Sequence, residues 1–211
     1  IRDLASISIF ESENTGTVGY YTVNGILFYY DEYTDQTTLV RCPTKKTIRE
    51  YTIPENVTTL GTSAFQGIVS LKTITMPDGL ISIDNRAFNG CTGLTTLSIP
   101  DTVTSIGEYA FENCTSLTYA YLGKALNSIG FRGFRYCSNI STITVPDALT
   151  SVYDSFENTN IKKVILPATV TSFNGTIRDL ASISIFESEN TGTIGYYTVN
   201  GILFYYDEYT D

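Results

Sequence analysis

Four consecutive stretches of 23 residues, starting at Ile48, Leu71, Leu94 and Leu117, carry apolar residues at matching positions. In register they read IREYTIPENVTTLGTSAFQGIVS, LKTITMPDGLISIDNRAFNGCTG, LTTLSIPDTVTSIGEYAFENCTS and LTYAYLGKALNSIGFRGFRYCSN. Two shortened copies follow, ISTITVPDALTSVYDSFENTN from Ile140 and IKKVILPATVTSFNGTIRDLAS from Ile161. One such copy cannot bury its own apolar stripe. A fixed period of this length therefore implies a solenoid, in which each copy covers the next.

The third copy shows how one turn is built. Leu94, Leu97 and Ile99 fall on one side of a short extended segment while Thr96 and Ser98 alternate to the other, the period-two mark of a strand. Pro100 ends it, having no N–H to offer a ladder. Val103 and Ile106 then point back inward, and Gly107–Cys114 suits a short helical or 3-10 segment on the outer side. Stacking converts each position into a column: Ile74, Leu97, Ala120, Ile143 and Val164; Phe65, Phe88, Phe111, Phe134 and Phe156; Val57, Leu80, Val103, Leu126, Leu149 and Val170. The residue before each Phe is small (Ala64, Ala87, Ala110, Gly133, Ser155), which implies close approach of the backbone at that corner. The expected fold is a parallel β-sheet on one face with short helical or 3-10 segments on the other, interrupted by a β-hairpin insert.

A longer period encloses the shorter one. Ile1–Asp35 recurs as Ile177–Asp211 with a single difference, Val18 against Ile194, a repeat of 176 residues. This reads as a window from a longer tandem array. Residues 1–6 end a preceding repeat, 7–47 form a β-hairpin segment, 48–182 hold six repeats, and 183–211 start the next hairpin segment. Asn24-Gly25 is a tight hairpin turn, and a second turn is expected around Tyr33–Thr37. The segment would recur as a knob, separating repeat blocks or capping one and opening the next. Asp31, Glu32 and Asp35 lack the spacing of a calcium loop and read as a solvated turn. Tyr20, Tyr21, Tyr29, Tyr30 and Tyr33 read either as an exposed aromatic patch or as a set whose alternate members fill the hairpin's packed face while the rest lie on the surface.

The repeat letters IP, V-T-S-I-G, AF and C, as in Leu94–Ser116, resemble the motif of the BspA-like leucine-rich repeat family, also called the Treponema pallidum type. The resemblance covers about Ile48–Ser182 and extends to Tyr20–Pro43 as the family's interposed hairpin segment. It implies a surface or secreted protein of the kind implicated in adhesion to host proteins or other cells, with no enzymatic motif. At Cys42 the family usually has an aromatic residue, so this thiol is either a buried packing group or one able to cross-link to another chain.

Composition limits the chemistry. There is no histidine, which removes the commonest general base and metal ligand, and no nucleophile elbow or phosphate-cradling glycine loop. No enzyme activity, metal or cofactor is expected. A net charge of −9 without a basic run argues against nucleic acid and anionic bilayers, and no apolar run is long enough to insert in a membrane. Cys91, Cys114 and Cys137 stand one per rung and read as small buried apolar residues, since parallel β-carbon vectors suit a disulfide poorly. Sequons occur at Asn56, Asn113, Asn139 and Asn174.

The outward strand positions form the expected binding surface: Thr96 and Ser98, Tyr119 and Tyr121, Thr142 and Thr144, flanked by Glu50, Thr52, Thr73, Thr75, Lys163 and Ile165. Small hydroxyls dominate. Tyr119 and Tyr121 interrupt them in the one repeat where Gly123 replaces the strand-ending proline, and paired tyrosines can supply rigid contact area. Two functions fit: an extracellular module binding a protein or glycan on a cell or matrix surface, or a stalk whose 176-residue units are spacers that self-associate along an array.

Overall fold

The computed structural model describes residues 19–149, 151–152 and 154–161, and the main chain of the strands Lys163–Leu166, Ile185–Ser188, Gly195–Val199 and Ile202–Tyr206. The leading segment 1–6, Val170, the Asn174 sequon and the outward side chains of Lys163 and Ile165 lie outside the described residues.

Three antiparallel strands come first: β1 (Gly19–Val23), β2 (Ile26–Asp31) and β3 (Gln36–Arg41). Asn24 and Gly25, at φ of 50° and 72°, make the tight turn between β1 and β2. The next turn spans 32–35, slightly earlier than expected. Asp31 Oδ1 accepts the main-chain N–H of Tyr33 at 3.0 Å, and Asp35 takes a φ of 53°, so the chain has already reversed by Gln36.

Each repeat then supplies two short strands. These are β4 (Glu50–Thr52) and β5 (Val57–Leu60), β6 (Thr73–Thr75) and β7 (Ser82–Ile83), and β8 (Thr96–Ser98) and β9 (Ser105–Ile106). The series continues with β10 (Tyr119–Tyr121) and β11 (Ser128–Ile129), then β12 (Thr142–Thr144) and β13 (Ser151–Val152). Strands β14 (Lys163–Leu166) and β15 (Ile185–Ser188) follow, and a hairpin of β16 (Gly195–Val199) and β17 (Ile202–Tyr206) completes the set.

The molecule is a β-solenoid with parallel sheets, but two rows of strands run along it where one was expected. The second is a continuous eight-stranded sheet in the order β1-β2-β3-β5-β7-β9-β11-β13. After β5 its repeat strands are only two residues long, at the Ser-Ile pairs of β7, β9 and β11 and at Ser151–Val152, too short to declare a period. The hairpin strands are part of this sheet rather than a separate knob, because β3 pairs parallel with β5. Ile26, Phe28 and Leu39 enter the same buried cluster as the repeats.

The expected helical or 3-10 segments are absent among the described residues; turns stand in their place. The reason lies in where the amides point. Along 61–68, Ala64, Gln66 and Ile68 donate to the carbonyl three residues back, while Ser63, Phe65 and Gly67 donate to Asn85, Ala87 and Asn89 of the next rung. A helix would claim every amide for itself. Positive φ at Ser63, Arg86, Tyr109 and Arg132, one per rung, fixes this alternation (56° to 61°).

The phenylalanine column forms as expected. Successive rings from Phe65 to Phe156 are stacked with centroids 5.1, 5.1, 4.9 and 5.4 Å apart. Cys42 lies 23 residues before Phe65 and occupies the same site, its N–H bonding Ala64 as each Phe N–H bonds its neighbour at the position before the next ring (2.7 Å). It is fully buried, which resolves the sequence alternatives toward packing. The three ladder thiols are free and buried as well. Each is also a donor: Cys91, Cys114 and Cys137 Sγ lie 3.0, 3.3 and 3.1 Å from the carbonyls of Phe65, Phe88 and Phe111 one rung below.

Candidate functional site

The first row of strands is not one ladder. It divides into β4-β6, β8-β10 and β12-β14-β15. Thr96 and Ser98 therefore share a ladder with Tyr119 and Tyr121, in the register Tyr119↔Thr96 and Tyr121↔Ser98. Thr142 and Thr144 belong to the next ladder, paired with Lys163 and Ile165. Tyr119 and Tyr121 thus face Thr142 and Thr144 across a seam that has no ladder among the described residues.

A cleft of about 960 Å³ opens along that seam. Tyr119, Tyr121, Thr142 and Thr144 line it, while Thr96 and Ser98 stand exposed one strand away. Its floor is apolar: Ala120, Leu122 and Val145 belong to the buried core. Pro146, Asp147, Ala148 and Lys124 complete one end.

Four substitutions within one rung accompany the opening. Ala120 takes the column position that Ile74, Leu97 and Ile143 fill in other rungs, so bulk is missing beneath the seam. Gly123 replaces proline because the chain passes against the preceding rung; a β-carbon there would sit 2.0 Å from the Pro100 carbonyl oxygen. Tyr119 and Tyr121 replace small hydroxyl residues, and Tyr119 keeps 58% of its surface exposed.

Tyr121 is held in place. Its hydroxyl donates to Asp101 Oδ1 at 2.7 Å, which also accepts the N–H of Lys124 at 3.1 Å. Lys124 Nζ pairs with Asp101 Oδ2 at 3.4 Å. The hydrogen bond from Tyr121 holds the Asp101 carboxyl below the usual range, and the same bond to Asp101 raises the Tyr121 phenol above its own. Asp101 thus keeps one ring at a fixed angle and neutralises the cation at the cleft's end.

The sequence pointed to the tyrosines and threonines of this face but not to the cleft between them. Its readable sign was Ala120, the one small residue in an otherwise bulky column. The anchoring of Tyr121 by Asp101, 20 residues away, carried no local signal. Of the sequons, Asn56 and Asn139 are exposed, whereas Asn113 sits half-buried at a φ of 62° in a bonded turn. Among the described residues no group of histidine, cysteine or carboxylate side chains is arranged to hold a metal.

Comparison with known proteins agrees with this architecture. The BspA type leucine rich repeat region matches residues 58–183 in six copies. No curated protein matches the chain by sequence. Among solved structures, a Treponema pallidum leucine-rich repeat protein superposes with a TM-score of 0.64 at 22% identity, over 72% of this chain and 79% of that one. A leucine-rich cell surface protein from Faecalibacterium prausnitzii gives 0.63 at 21% identity, over 95% and 61%. A leucine-rich repeat protein from Eubacterium ventriosum gives 0.60 at 20%, over 88% and 47%, so this chain spans less than two thirds of the latter two. With the repeat profile matched across most of its length, the chain belongs to the BspA type leucine-rich repeat family.

Proposed function

We propose that this chain is a non-enzymatic recognition module of an extracellular or cell-surface protein, adhering to a protein or glycan through the face that carries Tyr119, Tyr121, Thr142 and Thr144. The cleft beside Tyr119 is the observation that carries this reading, because a concave site with an apolar floor and a fixed aromatic wall offers what a flat threonine sheet lacks. The family supports a protein-binding repeat scaffold, and a similar fold occurs in a protein described as a cell surface protein. The lack of histidine supports a binding role over a catalytic one. Among the described residues no helix is long and apolar enough to cross a membrane. The test is capture of the purified protein on cultured cells and on purified matrix proteins. Tyr119→Ala with Tyr121→Ala should weaken capture roughly tenfold or more while leaving the urea midpoint unchanged; undiminished capture removes the face from consideration.

A stalk is the second reading, and one observation favours it. The β16–β17 hairpin has the register of β1–β2 one period later, Gly195↔Tyr206 repeating Gly19↔Tyr30. Identical geometry at each repeat is what a spacer requires. With ~4.8 Å per rung, several units in series should give an axial repeat of roughly 35–40 Å in electron micrographs. Separate globular particles would exclude it.

A further inference from the structure

The cleft between β10 and β12 has a chemistry that selects among ligands, and the following rests on the recognition face proposed above. Its floor is a shallow apolar hollow over Ala120, with Leu122 and Val145 beside it. One wall is the exposed ring of Tyr119, and the rim carries the hydroxyl residues Thr142 and Thr144. Main-chain groups line the lip between floor and rim. The N–H of Ile99 donates to the carbonyl of Tyr121 at 3.0 Å, so that carbonyl turns toward β8. Alternation along the strand then directs the N–H and C=O of Ala120 and Leu122 toward β12, where no ladder takes them up.

Charge narrows the choice further. Lys124, the cation of the lining, is already paired with Asp101, and the chain carries a net charge of −9. An anionic ligand gains little there and is repelled at a distance. The lining itself, with one carboxylate at its end in Asp147, suits a ligand that is not anionic. Such a ligand has a flat apolar face for the tyrosine, several hydroxyls for the rim, and a small methyl group next to an amide for the floor and lip.

We propose that this cleft binds a neutral 2-acetamido sugar within an oligosaccharide. The acetyl methyl seats over Ala120, the amide bonds the main chain of β10, and the ring lies against Tyr119. The site separates acetamido sugars from plain hexoses because only the former fill the hollow and satisfy the strand lip together. Leaving a buried main-chain donor or acceptor unpaired is what makes such discrimination steep.

Calorimetric titration with chitotetraose and with cellotetraose tests it, since these share a backbone and differ at the 2-acetamido group. Saturable chitotetraose binding is expected, at least about tenfold tighter than cellotetraose. Ala120→Leu, which fills the hollow, and Tyr119→Ala, which removes the wall, should each weaken it by a similar factor, while Tyr119→Phe retains it. Should Ala120→Leu fail to fold, the two Tyr119 variants decide on their own. Equal affinity for the two tetrasaccharides, no chitotetraose binding at millimolar concentration, or indifference to Tyr119→Ala would each overturn the proposal. If the tetrasaccharides fail while Tyr119→Ala with Tyr121→Ala still abolishes capture on cells or matrix proteins, the face recognises a different ligand and only the sugar assignment falls.

Discussion

Phe111 has one ring below it and another above, at 5.1 and 4.9 Å, and no exposed surface. Its replacement by alanine opens a void that three rungs share, and neighbours fixed by inter-rung hydrogen bonds cannot close it. Phe111→Ala should cost about 3–5 kcal/mol, read as a drop in the urea midpoint. The thiols make a second residue-scale prediction. Burial pushes the Cys42 and Cys91 thiols up to about 11 and about 12, against 9.0 ordinarily. Below pH 9 both the folded and the unfolded chain keep these protons and the terms cancel. Above it the unfolded chain releases them first, so stability falls as pH rises toward 12. Urea midpoints at pH 8 and 10.5 should show that fall, and an aromatic disulfide reagent at pH 8 should label the thiols only after denaturation. Both the phenylalanine and the cysteine columns were legible, because a column needs only a period and a residue type. The bond from each thiol to a phenylalanine carbonyl was not, since the sequence does not say where a carbonyl ends up.

At the scale of elements, the repeat's strands were readable from alternation, and its outer corner was misread. The stretch Gly107–Cys114 lacks proline and has good helix formers, so local propensity favours a helix there. What overrides it is the demand of the adjacent rung for every second amide, a demand visible only once rungs are stacked. Far-UV circular dichroism should therefore show a β spectrum with no helical minimum near 222 nm. The strand-ending position offers a sharper test. Five repeats carry proline there, at Pro54, Pro77, Pro100, Pro146 and Pro167, yet the Cβ contact of 2.0 Å forbids any side chain at Gly123 without a shift of backbone. Gly123→Ala should destabilise by about 1–3 kcal/mol, against the usual expectation that replacing a glycine restrains the unfolded chain and stabilises. A neutral or stabilising effect would show that this rung does not press on the one before it.

Across the whole molecule, stability is close to a sum of contacts between neighbouring rungs, so the weakest junction governs how the solenoid comes apart. The rung that starts at Ile140 is held to its predecessor by the Phe134–Phe156 stack and by pairing of β11 with β13. At the outer corner Arg135 joins Glu112 and Glu157, at 3.3 and 2.9 Å, and Arg132 meets Glu157 at 2.7 Å. On the opposite side, between β10 and β12, the first row of strands contributes no ladder and the cleft removes apolar contact. The same opening that admits a ligand therefore weakens the column at one joint. Thr96–Ser98 is laddered to β10 and Thr142–Thr144 to β14, and the row also lacks a ladder between β6 and β8, so the cleft is what sets this joint apart. Amide exchange should find Thr142–Thr144 opening before Thr96–Ser98. Ala120→Leu should restore the missing bulk, raise stability by roughly 0.5–2 kcal/mol and bring the two strands' exchange rates together. If Thr142–Thr144 already exchange as slowly as Thr96–Ser98 in the native protein, the joint is not weak, and the cleft is a surface feature without consequence for the stack.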